Sequence, residues 1–81
     1  MLSIQEADKV VTTAYPTGTI QKVVEYEDLF VYQIFGPMPG EETHAPFFSV
    51  NRKTGEFRDF SIFDDGDTQV LDDLFIKAKR R

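Results

Sequence analysis

Cysteine is absent from the sequence, which excludes a disulfide framework, a thiolate metal site and a cysteine nucleophile. The chain is thereby indifferent to redox compartment, and a cytosolic origin is favoured. Histidine occurs once, at His44, so any Ser-His or imidazole-based metal arrangement has a single ring to draw on. No G-x-S-x-G and no phosphate-cradling glycine loop is present. No apolar run approaches the ~18 residues of a membrane span, and the opening MLSIQEADKV lacks the basic leader and apolar core of a secretory signal. A soluble, unprocessed chain is expected. Basic residues are scarce until the end, where Lys77, Lys79, Arg80 and Arg81 fill four of the last five positions. Residues 1–76 therefore carry 14 acidic against 5 basic groups, a body that repels phosphate backbones and argues against nucleic-acid binding.

What is present is enough for one thin core. With 81 residues, 41% apolar and 28% charged, the chain lies in the globular range and fits a single domain, residues 1–81. Its organising stretch is FFSVNRKTGEFRDFSI, Phe47 to Ile62, which reads as a β-hairpin. Gly55 supplies the positive φ of a tight reversal, and the Asn51 side chain can cap the turn amides. Five of the eight Phe residues, at 47, 48, 57, 60 and 63, lie in or beside this hairpin, so other segments must cover it.

Ser3-Ile4-Gln5-Glu6 has the form of a capping box and should start a helix. Ile4, Ala7, Val10, Val11 and Ala14 then share one face, with Gln5, Asp8, Lys9 and Thr12 on the other, until Tyr15-Pro16 ends it. Thr19–Tyr26 alternates as a half-buried strand, Glu27-Asp28 turns, and Leu29–Phe35 is apolar on both sides, as a strand covered on both faces is. The stretch from Gly36 to Pro46 contains three prolines and forms the longest loop. In the main hairpin Phe57 falls on the opposite parity from Phe60. Either a bulge near Arg58-Asp59 reconciles them, or both hairpin faces are partly apolar, one against helices and one against solvent or a partner. Asp67 is placed to cap a second helix with Val70, Leu71, Leu74, Phe75 and Ala78 on its inner face. Lys77, Lys79, Arg80 and Arg81 fall at its end, where they complement the helix dipole.

The chemistry-bearing residues are few. Glu41, Glu42 and His44 cluster without a recognised ligand spacing, and read as solvated loop residues. Asp64-Asp65-Gly66-Asp67 lacks the alternating ligands, sixth-position glycine and twelfth-position glutamate of a calcium loop, and reads as a turn and helix N-cap. Carboxylates are adjacent rather than set across a cleft, so no catalytic residue, cofactor site or metal site is assigned and the chain is not read as an enzyme. Aromatic area exceeds what one thin core obviously needs. Phe47, Phe57, Phe63, Tyr26 and Tyr32, with Arg58, are the candidate protein-binding residues; the competing reading places every ring in the core.

Ala45 to Glu56, APFFSVNRKTGE, following a helix and a hairpin, resembles the small bacterial proteins grouped as immunity protein 35, over about the first sixty residues. PFFSVNRKTGEFRDFS also looks similar to short proteins of tailed-phage structural operons. The second helix and basic tail depart from the immunity pattern. That resemblance implies a non-catalytic protein that blocks a toxin, for which an acidic body suits a basic nuclease. The phage resemblance implies a virion-associated accessory, a minor capsid, decoration or assembly protein packed on capsid or tail protein. The expectation is a single α+β domain: N-terminal helix, four-stranded antiparallel meander, C-terminal helix, both helices on one face of the sheet. Its expected role is protein binding, first as a phage virion accessory made in the cytoplasm and carried into the virion, with possible self-association and no nucleic-acid or membrane partner. An immunity role is the alternative, and a small metal- or ligand-binding enzyme holding His44 the third.

Overall fold

The computed structural model describes residues 1–36 and 47–81. The expected element order is the observed one. Helix α1 (Ile4–Ala14) opens on the capping box: the Ser3 amide donates to Glu6 Oε1 at 3.0 Å, and the Glu6 amide donates to Ser3 Oγ at 3.2 Å. Its buried stripe is Ala7, Val11 and the C-cap Tyr15, at i, i+4 and i+8, while Ile4 and Ala14 fall outside it.

Strands β1 (Thr19–Tyr26), β2 (Leu29–Phe35), β3 (Phe47–Asn51) and β4 (Phe57–Asp59) form an antiparallel meander in that order. The turn between β3 and β4 is built as its residues dictate. Asn51 Oδ1 accepts from the amides of Lys53 (2.8 Å) and Thr54 (3.0 Å), and Gly55 takes φ +78°. Strand β4 pairs regularly with β3 through Phe57 to Asp59, so the suggested bulge near Arg58-Asp59 is not there. The irregularity lies in β1, where Ile20 and Lys22 pair with the consecutive residues Ile34 and Gln33, leaving Gln21 as an inserted residue. This bulge has a packing reason. It puts Ile20 and Val23 against the α1 layer, while Val24 and Tyr26 pack with α2, which a straight strand could not do.

Helix α2 (Thr68–Lys77) is capped by Asp67, whose Oδ1 accepts from the amides of Gln69 (3.0 Å) and Val70 (3.2 Å). The two helices occupy opposite faces of the sheet, which corrects the expectation that both lie on one. Phe30, Tyr32 and Ile34 of β2 pack with Ala7, Val11 and Tyr15, whereas Val31, on the other parity, packs with Leu71 and Phe75. A strand apolar on both parities needs a cover on each side; two helices on one side would leave Val31 and Phe47 in water. Phe57 and Phe60 likewise lie on opposite faces, each beneath its own layer.

Beyond Lys77 the chain leaves the helix, with Ala78 extended, so only Lys77 of the four basic residues sits in the last turn. Residues 78–81 pass round the β1 edge, where the Arg81 amide donates to the Gln21 carbonyl at 2.7 Å. The Arg81 guanidinium reaches the α1 layer and grips Asp8.

Candidate functional site

The six candidate residues are dispersed rather than gathered. Tyr32 is 0% exposed, a core residue on the α1 face, and cannot meet a partner. Phe57, half-buried, stacks on Phe48 in the same layer at 5.3 Å. On the other face Phe47, half-buried, meets Phe75 edge-on at 5.2 Å, and the Tyr26 ring stands against Phe60. Arg58 is exposed at the β4 surface, 3.9 Å from Glu56. Phe63 alone among them presents its ring to water, at 76% exposure.

Phe63 is held in place by its neighbours. The Ser61 amide donates to Asp65 Oδ2 (2.9 Å), and the Asp65 amide donates back to the Ser61 carbonyl (2.8 Å). Ser61 Oγ accepts from the amides of Phe63 (3.3 Å) and Asp64 (3.2 Å). The Thr68 hydroxyl donates to the Ile62 carbonyl (2.7 Å), and the Asp67 amide donates to the Tyr26 hydroxyl (2.9 Å), which ties the loop to α2 and β1. Gly66 lies so close to the core that a Cβ there would stand 2.6 Å from Leu71 Cδ1 and 3.1 Å from Phe60 Cζ. Residues 61–67 therefore form a braced platform carrying one large exposed ring. The carboxylates of Asp65 and Asp67 hold the loop and cap α2, in line with the turn and N-cap reading of that acidic run.

Charge is segregated along the chain on either side of Phe63. Residues 59–73 contain six of the fourteen acidic residues and none of the nine basic ones, so the remaining chain has nine basic against eight acidic. All six aspartates, at 59, 64, 65, 67, 72 and 73, are exposed. Sequence reasoning treated the acidity as a property of the whole body. Counting charge in windows would have located it.

The chain matches no family model, no curated protein and no solved structure.

Beside the loop, at the β3–β4 end of the α2 face, lies an open cavity of about 180 Å³, lined by Leu29, Ser49, Asn51, Arg58, Phe60 and Asp65 among others. It is smaller than the ~300 Å³ at which small-molecule pockets begin, and opposite charges share its wall. Among the described residues no three His, Asp or Glu side chains are grouped to hold a metal, and the Glu41, Glu42 and His44 cluster lies outside them. No helix of the described residues is long and apolar enough to cross a membrane.

A second polar cluster went unforeseen. Asp8, expected on the solvent face of α1, accepts at Oδ1 from the Tyr32 hydroxyl (2.7 Å) and is held in two-pronged fashion by Arg81 (2.9 and 2.6 Å). Arg81 holds the Asp8 carboxyl below the ordinary aspartate value, against the opposing effect of burial and with help from Tyr32. Burial first, and then the Asp8 hydrogen bond, push the Tyr32 phenol far upward, so it stays a neutral donor. Separated by 73 positions, Asp8 and Arg81 join the two helical layers.

Proposed function

We propose that the chain is a non-catalytic protein-binding module that docks through the Ser61–Asp67 loop, with Phe63 as its anchor. The observation that carries this reading is the pairing of a ring 76% exposed with a loop braced by internal hydrogen bonds. A ring left in water gains about 2–3 kcal/mol on burial in a partner. A loop that is already ordered loses little conformational freedom on binding, so most of that gain survives. Large aromatics surrounded by polar groups are what interface centres are made of.

Within this class the first reading is a phage virion accessory, supported by the likeness of PFFSVNRKTGEFRDFS to phage structural-operon proteins. The immunity reading is supported by a separate observation, the exposed aspartates that follow Phe63 in the loop and on α2, which suit a basic toxin. Co-purification from the source organism, followed by size-exclusion with light scattering, tests the class. A partner held by the natural chain and lost on Phe63→Ser, with the fold intact by circular dichroism, is the expected result. A capsid or tail protein as that partner favours the first reading, and a one-to-one complex with a toxin the second. A partner retained equally by both variants would overturn docking through this loop.

A further inference from the structure

The surroundings of Phe63 in the chain bear on the chemistry of the partner. Phe63 stands in a stretch, residues 59–73, that contains six exposed aspartates and no lysine or arginine. Asp72 and Asp73 are on the exposed side of α2, and Asp64 and Asp65 adjoin Phe63 directly. Among the described residues no ion bridge reaches Asp64, Asp65, Asp67, Asp72 or Asp73; Arg52, Lys53, Arg58 and Arg81 pair with Glu25, Asp28, Glu56 and Asp8. We infer that the docking partner presents an apolar pocket rimmed by lysine or arginine, into which Phe63 inserts while Asp64, Asp65, Asp72 and Asp73 meet the cationic rim.

The reason is electrostatic as well as apolar. Burying Phe63 brings Asp64 and Asp65, which follow it in the chain, up to the partner, with Asp72 and Asp73 exposed on the helix that continues the loop. A neutral or acidic rim would strip them of water or repel them, whereas a cationic rim turns the same approach into attraction and steers encounter. Phe63 supplies residence and the aspartates supply approach, so the two should separate kinetically. This inference rests on the proposed docking through the Phe63 loop and adds the chemistry of what docks.

Panning a random peptide library of even composition against the immobilised chain tests it. The expected clones are rich in Lys and Arg, bind Phe63→Ala about thirtyfold more weakly, and associate about tenfold more slowly with Asp72→Asn/Asp73→Asn at low salt. Clones that depend on Phe63 yet are neutral or acidic would overturn the cationic rim and leave the docking loop standing. Clones indifferent to Phe63→Ala, cationic or not, would overturn both. Light scattering on the free chain closes the remaining route: self-association abolished by Phe63→Ala would seat a second copy on the loop and overturn the inference of a separate cationic partner.

Discussion

On the α1 face, Ala7, Val11 and Tyr15 close over Phe30, Tyr32, Ile34, Phe48 and Val50, and none of the eight is more than 5% exposed. On the α2 face the buried set is smaller, Val24, Val31, Phe60, Leu71 and Phe75, with two of its members 8% exposed. Helix α2 lies along β1, so the β3–β4 end of that face is left to the Phe60–Asp67 segment and an open polar cavity. One face is finished as core; the other is finished by a loop that keeps a phenylalanine outside. A domain of this size has little stability to spare, so concentrating burial on one face leaves the other free to carry a surface.

Truncating one ring on each face tests the difference between the two layers most directly. Phe48→Ala should cost about 4 kcal/mol, a large part of the roughly 5–10 kcal/mol such a domain possesses, and Phe75→Ala about 3 kcal/mol. Urea denaturation measures both, and a larger loss at Phe75 would reverse the ranking of the faces. Gly66→Ala should cost about 2 kcal/mol, because its Cβ would press on Leu71, Phe60 and Tyr26, which are fixed by their own packing. An unchanged denaturation midpoint would show that the loop has slack and is not braced.

Arg81→Ala unties the strap between the layers and should cost about 1–2 kcal/mol, discounted for partial exposure. Its pH dependence follows from Asp8, whose folded pKa is lowered. The contribution is full above the ordinary aspartate value and is lost as pH falls through the lowered folded one. The gap in melting temperature between natural chain and variant should therefore be constant near neutrality and shrink in acid; a gap that widens in acid would contradict the assignment. The smallest effect belongs to Phe63→Ser, expected within about 0.5 kcal/mol of the natural chain by thermal unfolding. A large loss there would mean that the ring is part of the core after all.

Local features were legible in the residues. The Ser3–Glu6 box, the Asn51 cap with Gly55, the Tyr15-Pro16 stop and the Asp67 N-cap each depend on groups within a few positions of one another, and each is where it was expected. The two-sided apolar character of Leu29–Phe35 was also readable, and it already implied a layer on each face, which is incompatible with placing both helices together. Of the aromatic residues offered as protein-binding, Phe63 is exposed and Tyr32 is sealed, a difference that alternation cannot show because it does not tell which of two apolar faces is covered. The bulge at Gln21 was hidden because its cause, the split of Ile20 and Val23 from Val24 and Tyr26, lies in the layers above and below.

Taken alone, the amino-acid sequence determined the elements, their order, their caps and turns, and the meander, since these follow from propensity and contacts between chain neighbours. That the helices straddle the sheet, that Asp8 meets Arg81 and Tyr32, and that Phe63 remains in water emerged only once the layers were assembled. Those outcomes depend on which surfaces meet after distant segments are brought together, and that is settled by the joint demand that both apolar faces of one sheet be covered.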